Sequence, residues 1–377
     1  MLIKTITCHN VYNYGASLQA YALMKFLEQN GHNVEIIDYR PDYLSKRYNL
    51  FRLVPSGTIY NLYRKIPFLK PLWAVLQNRK DLKFWGRKRK FDNFTKRFLK
   101  LTSRTYRTTE DFKNSPISAN LFIAGSDQIW NTNCPNGLDE NFYCSFSKDP
   151  IKNISYAASF ATTSIADIHI NFVKSHLNNF RSISVREKTG VDLAGTLGFK
   201  ATLVADPVFL QPRKYWDNLC YNKHHEKYLL VYDFLNNDDN LRRCALFLAK
   251  KYDLKIYSVN DYGEIPFADV NINNAGPIEF VALIKNANYV VSSSFHATAF
   301  SVIFKKKFIT FPLKNYGNSS RISDFLNIVQ IKNRFITSFD ELNFDETKIE
   351  YEKVEYLLEE YAKKSKEWLL KEISKGM

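Results

Sequence analysis

Short apolar runs recur along this chain, each followed by a polar turn and then by a stretch in which apolar residues return every three or four positions. Strand, turn and amphipathic helix in alternation produce that rhythm, which predicts an α/β protein with parallel sheets and helices on both faces. Leu2 to Thr7 is the first expected strand. It leads through Asn13-Tyr14-Gly15-Ala16 into a helix from Ser17 to Gln29, which Asn30-Gly31 ends. Further strands are expected at Val34 to Ile37, Leu121 to Ala124, Ile154 to Ala157, Ser182 to Val185, Leu229 to Tyr232, Lys255 to Ser258 and Tyr289 to Val291. The last segment, Glu350 to Lys375, sets Val354, Leu357, Leu358, Tyr361 and Trp368 near one helical face, and its acidic start and basic end suit the helix dipole. A packed terminal helix is expected there.

Pro207 and Pro212 interrupt the pattern just after Asp206, and a fresh strand and helix series begins at Tyr228. Two Rossmann-like domains facing across a cleft follow, residues 1–207 and 208–377, the second carrying the terminal helix. One region breaks the rhythm. From Arg79 to Arg107 there are 12 basic residues against Asp81 and Asp92, with Phe84, Trp85, Phe91, Phe94 and Phe98 interleaved. It reads as a basic helical insertion near 43–110, facing either an anionic membrane surface or, more simply, solvent with its aromatics packed inward.

Composition narrows the class. Hydrophobic residues are 45% and charged residues 24% of 377, the balance of a globular protein large enough for two cores. Apolar runs such as Tyr228 to Tyr232 are far below the roughly 20 residues that span a bilayer. The first residues lack a secretion signal, so a cytoplasmic location is expected, with peripheral attachment at the inner face of the plasma membrane as an extension of the basic segment. Cys8, Cys134, Cys144, Cys220 and Cys244 are odd in number and contain no close pair, which argues against both disulfides and a zinc cluster. His224-His225-Glu226 is the one metal-like run, but adjacent histidines point apart, and no metal is expected. The net charge of +15 calls for an anionic partner without choosing among nucleic acid, phosphorylated metabolites and membrane.

The most suggestive chemistry lies at Ser292-Ser293-Ser294-Phe295-His296, where an apolar strand opens into hydroxyls and an imidazole before a helix begins at Ala297. Ligands bind at such carboxyl ends of parallel strands, and helix N-termini there favour anions. His296 is thus placed for acid and base work or for anion binding; a capping or core histidine is the plainer alternative. Of the remaining histidines, only His9 has an expected cleft position.

Asn13-Tyr14-Gly15-Ala16-Ser17-Leu18-Gln19-Ala20, Gly125-Ser126-Asp127-Gln128-Ile129-Trp130-Asn131, Ser182-Ile183-Ser184-Val185-Arg186-Glu187-Lys188-Thr189-Gly190, Asp206-Pro207 and Ser293-Ser294-Phe295-His296 follow one another in this order. In that ordered combination, from about Ile3 to Leu326, the chain resembles the polysaccharide pyruvyl transferase family. The resemblance implies a GT-B-like fold and transfer of the enolpyruvyl group of phosphoenolpyruvate onto sugar hydroxyls, giving a pyruvate ketal in capsular or exopolysaccharide synthesis. Phosphoenolpyruvate enters as co-substrate, and no cofactor is implied. Some members carry an arginine two residues before the histidine; Ser294 stands there in this chain. Arg321, or less well Lys314, could supply the missing charge.

Under that resemblance His296 and Asp127 are the candidate catalytic residues, and Arg186, Arg321, Ser294 and Lys314 the donor-binding ones. Arginine suits a donor carrying phosphate and carboxylate because its planar fork grips either. The alternative for Arg186 is an ion pair with Glu187, and for Asp127 an Asx turn or helix N-cap. Asn13, Tyr14, Gly15, Ser126, Gln128 and Trp130 are assigned to the acceptor or the cleft wall, Trp130 being equally suited to core. Asp206 could orient a catalytic group or merely form an Asp-Pro turn. The expected acceptor is a sugar, potentially within a lipid-pyrophosphate-linked oligosaccharide; no nucleic acid is expected. Two rival readings stand beside this one. A GT-B-type glycosyltransferase using a nucleotide sugar would need a base and ribose pocket, for which there is no acidic signature. A non-enzymatic basic module binding an anionic membrane or nucleic acid would rest on the charge and the Arg79 to Arg107 segment, with no nucleic-acid motif beside them.

Overall fold

A computed structural model of the protein describes residues 1–44, 48, 72–73, 75–76, 79–220, 226–234, 238–261, 263–313, 319–342 and 348–375. The first half contains β1 (Leu2–Ile6), α1 (Tyr14–Gln29), β2 (Asn33–Tyr39), α2 (Trp85–Phe98), β3 (Leu101–Tyr106), α3 (Thr109–Asn114), β4 (Leu121–Ala124) and β5 (Asn153–Ser155). Its sheet is parallel in the order β3-β2-β1-β4-β5. After α4 (Asp167–Leu177), the parallel pair β6 (Ile183–Val185) and β7 (Ala201–Leu203), joined by α5 (Lys188–Thr196), continues this sheet through single bridges from Ile154 to Ser182 and Ala158 to Val185.

α6 (Arg213–Leu219) leads to the second half. There β8 (Tyr228–Tyr232), α7 (Asp239–Tyr252), β9 (Lys255–Val259), β10 (Val270–Ile272), α8 (Pro277–Asn286), β11 (Tyr289–Ser292), α9 (Phe295–Ile303) and β12 (Lys307–Thr310) build a second parallel sheet, ordered β10-β9-β8-β11-β12. α10 (Ser320–Ile328) and α11 (Tyr351–Ser374) complete it. Every residue of β4, β8 and β11 is buried, as central parallel strands covered on both faces must be. In each sheet the strand order reverses beside its central strand, between β1 and β4 and between β8 and β11. A crevice opens at such a point, and here the two crevices face each other.

Three features depart from the expected layout. β3 lies within the stretch read as a helical insertion yet forms an edge of the first sheet; residues 45–47 and 49–71 of that stretch lie outside the described residues. α11, expected with the second half, spans both: Glu355 pairs with Lys305 of the second half at 2.6 Å, while Glu372 pairs with Arg181 of the first at 3.2 Å and Ala205 N–H donates to Ser365 Oγ at 2.8 Å. α2 is wedged between the halves. Phe91 and Phe94 are buried, and Arg87, expected on a charged outer face, is 0% exposed, because its partners come from both halves. Arg89, Lys96 and Arg97 do remain exposed.

Candidate active site

Four strand ends supply the cleft, which encloses about 400 Å³. Tyr12 and Asn13 follow β1, Asp127 and Gln128 follow β4, Phe234 follows β8, and Ser293 to His296 follow β11, while Arg321 reaches in from α10. Apolar strands end where solvent begins, so the first polar residues beyond each end converge on one space.

Asp206 is the hub beneath that space. One carboxylate oxygen accepts from Val208 N–H at 3.1 Å, forming the Asp-Pro cap, and the other accepts from Arg186 Nη1 at 2.5 Å and Ser126 Oγ at 3.2 Å. His296 Nε2 stands 3.5 Å from the same oxygen. Burial alone would raise the Asp206 carboxyl, but the facing His296 and Arg186 outweigh it and hold the group well below the usual carboxylate range. Asp206 therefore stays ionised and can orient both the guanidinium and the imidazole. The expected Asp-Pro turn is present.

Arg186 is buried, with Nη2 3.8 Å from Asp127 and its guanidinium 4.8 Å from the centre of the Phe295 ring across the cleft. Its Nε and Nη2 have no hydrogen-bond partner among the described residues. Burial and the like charge of Arg186 push Arg321 down to about 10, which leaves it cationic at neutral pH. Asp127, Glu187 and Asp206 offset part of that repulsion. The helix carrying Arg321 is tied to the first half by Asp324, whose carboxylate accepts Lys188 N–H at 2.9 Å at the start of α5.

His296 lies in the first turn of α9, where Ser294 caps the helix by accepting Ala297 N–H at 3.4 Å. Asn13 does the same for α1, accepting Ala16 N–H at 3.1 Å. Gly15 sits directly against the imidazole; a Cβ there would overlap His296 Nδ1. The two helix N-termini thus meet at the cleft, adding partial positive charge to that of the arginines. Asp127 has φ of 83°, a strained value for a non-glycine residue. Its carbonyl accepts Ile129 and Ser159 N–H at 2.8 and 3.0 Å, which fixes the turn, and its carboxylate lines the cleft rather than capping a helix.

Of the sequence candidates, His296, Asp127, Arg321, Ser294, Asn13 and Gln128 line the cleft, with Arg186, Ser126 and Gly15 packed immediately beneath. Trp130 does not: it is 0% exposed, donates Nε1–H to Phe142 O at 3.2 Å and stacks on Tyr143, so it is core. Tyr14 is buried between the halves, its ring stacked on Phe280. His9 pairs with Asp38 at 3.1 Å inside the first half. Lys314 lies outside the described residues, as do His224 and His225. Glu187 does not pair with Arg186; its Oε1 accepts from Ser159 Oγ and the backbone of Phe160 and Ala161, and burial raises its carboxyl. Phe295 as a platform for Arg186 went unread, since an aromatic at a strand end looks like ordinary core. Among the described residues, no group of three His, Cys, Asp or Glu side chains could hold a metal ion.

A family model described as polysaccharide pyruvyl transferase matches residues 13–315, which take in Asp127, Arg186, Asp206 and His296. No curated protein matches the chain. Among solved structures, the chain is similar to Arabidopsis thaliana UGT89C1 complexed with UDP-L-rhamnose, at 10% identity and a TM-score of 0.50 over 100% of this chain and 99% of that one. It is also similar to Methanocaldococcus jannaschii UDP-GlcNAc 2-epimerase in complex with UDP-GlcNAc and UDP, at 12% identity and a TM-score of 0.45 over 99% of each chain. At such identities the likeness concerns the fold, and the two parallel sheets facing across a cleft are of the GT-B type.

Proposed function

The chain belongs to the polysaccharide pyruvyl transferase family, and from that premise we propose that it moves the enolpyruvyl group of phosphoenolpyruvate onto two hydroxyls of a sugar, in capsular or exopolysaccharide synthesis. The observation that carries this reading is the meeting of Arg186, Arg321 and two helix N-termini around the His296 and Asp206 pair. A small donor with a phosphate, a carboxylate and a basic methylene carbon asks for clustered cations beside one proton donor.

In this mechanism His296 protonates the methylene carbon, and the oxocarbenium-like carbon that results is attacked by the first sugar hydroxyl. Asp127 takes the proton released. The bond from that carbon to the phosphate oxygen then breaks, the phosphate leaving against Arg186 and Arg321 and carrying off the proton held by Asp127. The second hydroxyl closes the ketal and returns a proton to His296. Asp206 keeps the imidazole oriented throughout. Acceptors joined to a lipid pyrophosphate would suit the exposed Arg89, Lys96 and Arg97 on α2. No helix among the described residues is long and apolar enough to cross a membrane.

The test supplies phosphoenolpyruvate with candidate sugar acceptors and scores phosphate release and product mass. The donor should also raise the melting temperature, since a ligand bound only by the folded state stabilises it by mass action. His296→Ala should keep the melting transition and lose roughly 10²–10⁴-fold in turnover. Stabilisation by nucleotide sugars alone, with no phosphate released from phosphoenolpyruvate, would overturn the reading in favour of glycosyl transfer, which the same fold permits.

A further inference from the structure

Arg87 does not itself line the cleft, though it bonds Tyr12, which does, and its side chain is fully enclosed beside it. Its side chain is 0% exposed, and so nearly is that of Asp261 in the second half, to whose carboxylate Nη2 donates. The same carboxylate accepts from Tyr232 Oη at 2.6 Å. On its other side Arg87 grips the loop between β1 and α1: Nη2 donates to Tyr12 O at 2.6 Å and Nε to Tyr14 Oη at 3.1 Å. Tyr14 Oη then donates to Ala275 O of the second half at 3.2 Å.

What that loop holds is the seat of His296. Tyr12 has φ of 51°, a left-handed value that a tyrosine keeps only when its surroundings impose it. Three residues on, Gly15 presses against the imidazole. Arg186, Asp206 and Asp127 belong to the first half, whereas His296, Ser294 and Arg321 belong to the second. The halves must therefore be in register before the imidazole meets Asp206.

We propose that Arg87 is a positioning residue: it fastens the Tyr12 to Gly15 loop to Asp261 across the cleft and so couples the docking of the two halves to the seating of His296. The proposal rests on the pyruvyl transfer reading only for the reaction that is measured. Its planar fork is what the geometry uses, because one guanidinium bonds a carbonyl, a hydroxyl and a carboxylate at once, which the point charge of lysine cannot do.

The experiment compares wild type with Arg87→Lys, Asp261→Asn and Tyr14→Phe in the full chain. Carbethoxylation of His296, read by mass spectrometry relative to His176, needs no substrate and reports the seating directly. It should be faster in all three variants. With phosphoenolpyruvate and an acceptor, kcat should fall on the order of 10–100-fold, as for misplaced reacting groups. The KM for the donor should change much less, since Arg186 stays with Asp206. Arg87→Lys combined with Asp261→Asn should be no worse than the more severe single variant, as two ends of one link are not additive. Unchanged labelling of His296 in variants with a lowered melting temperature would reduce Arg87 to a structural ion pair and overturn the proposal. Tyr14→Phe, which removes a single hydroxyl, carries the same test should the charge variants fail to fold. Wild type that turns over no phosphoenolpyruvate would count against the pyruvyl transfer reading, while the labelling would still decide the role of Arg87.

Discussion

Gly15 is where one added methyl group would be felt most. By helix propensity alone, Gly15→Ala within α1 should gain up to about 1 kcal/mol. The imidazole of His296 occupies that space, however, so the ring must tilt away from Asp206. We expect turnover to fall on the order of 10²-fold while the melting temperature holds or falls only slightly; undiminished turnover would show the contact to be idle. Asp206 allows a second test, through pH. Its carboxyl is held below the usual range when folded, so it contributes stability that is present above the unfolded value of about 3.9 and is lost as pH falls toward the folded one. Asp206→Asn should remove that component, flattening acid denaturation below about pH 4. At neutral pH it should cost about 3–5 kcal/mol, because Arg186 is left buried without its main counter-charge. Urea titrations at pH 7 and pH 3.5 would measure both effects.

At the scale of elements, α2 carries the open question of partners. Trp85 and Leu82 are exposed near Arg89, Lys96 and Arg97, while Phe91 and Phe94 are not. Basic side chains near an anionic surface contribute about 1 kcal/mol each. Glutamine at Arg89, Lys96 and Arg97 should thus weaken co-sedimentation with anionic vesicles, added salt should do the same to wild type, and the melting temperature should not move. Equal sedimentation of variant and parent would leave α2 as a strut between the halves. This helix also marks the limit of what could be read in advance. β4, β8 and β11 were legible because central parallel strands are apolar on both faces, and the candidate site residues at their ends were legible with them. β3 was not, since Leu-Thr-Ser-Arg-Thr-Tyr at a sheet edge is polar in its middle and exposes Ser103, Arg104 and Thr105. β7, β10 and β12 are only three or four residues long. Arg87 looked like one charge among many, because nothing local points to Asp261.

At the scale of the molecule, two sheets of the same design contribute unlike halves of one candidate site, the first Arg186 and the carboxylates, the second His296 and Arg321. His296 meets Asp206 only across the join between them, so the interface is itself part of that site. α11 bridges that interface, since Glu355 and Tyr351 at its start bond Lys305 and the Lys306 carbonyl of the second half. Ser365 and Glu372 bond to Ala205 and Arg181 at sequence separations of 160 and 191 residues. During synthesis the first half therefore emerges long before the helix that covers it, and the buried cap at Ala205 must wait for residues not yet made. The strands of the first sheet can pair early, but the protein becomes an enzyme late, when its final described helix returns to the beginning. A ribosome that stalls within α11 would release a chain with both sheets made and the join between them unsealed, a form suited to recognition by chaperones rather than to catalysis.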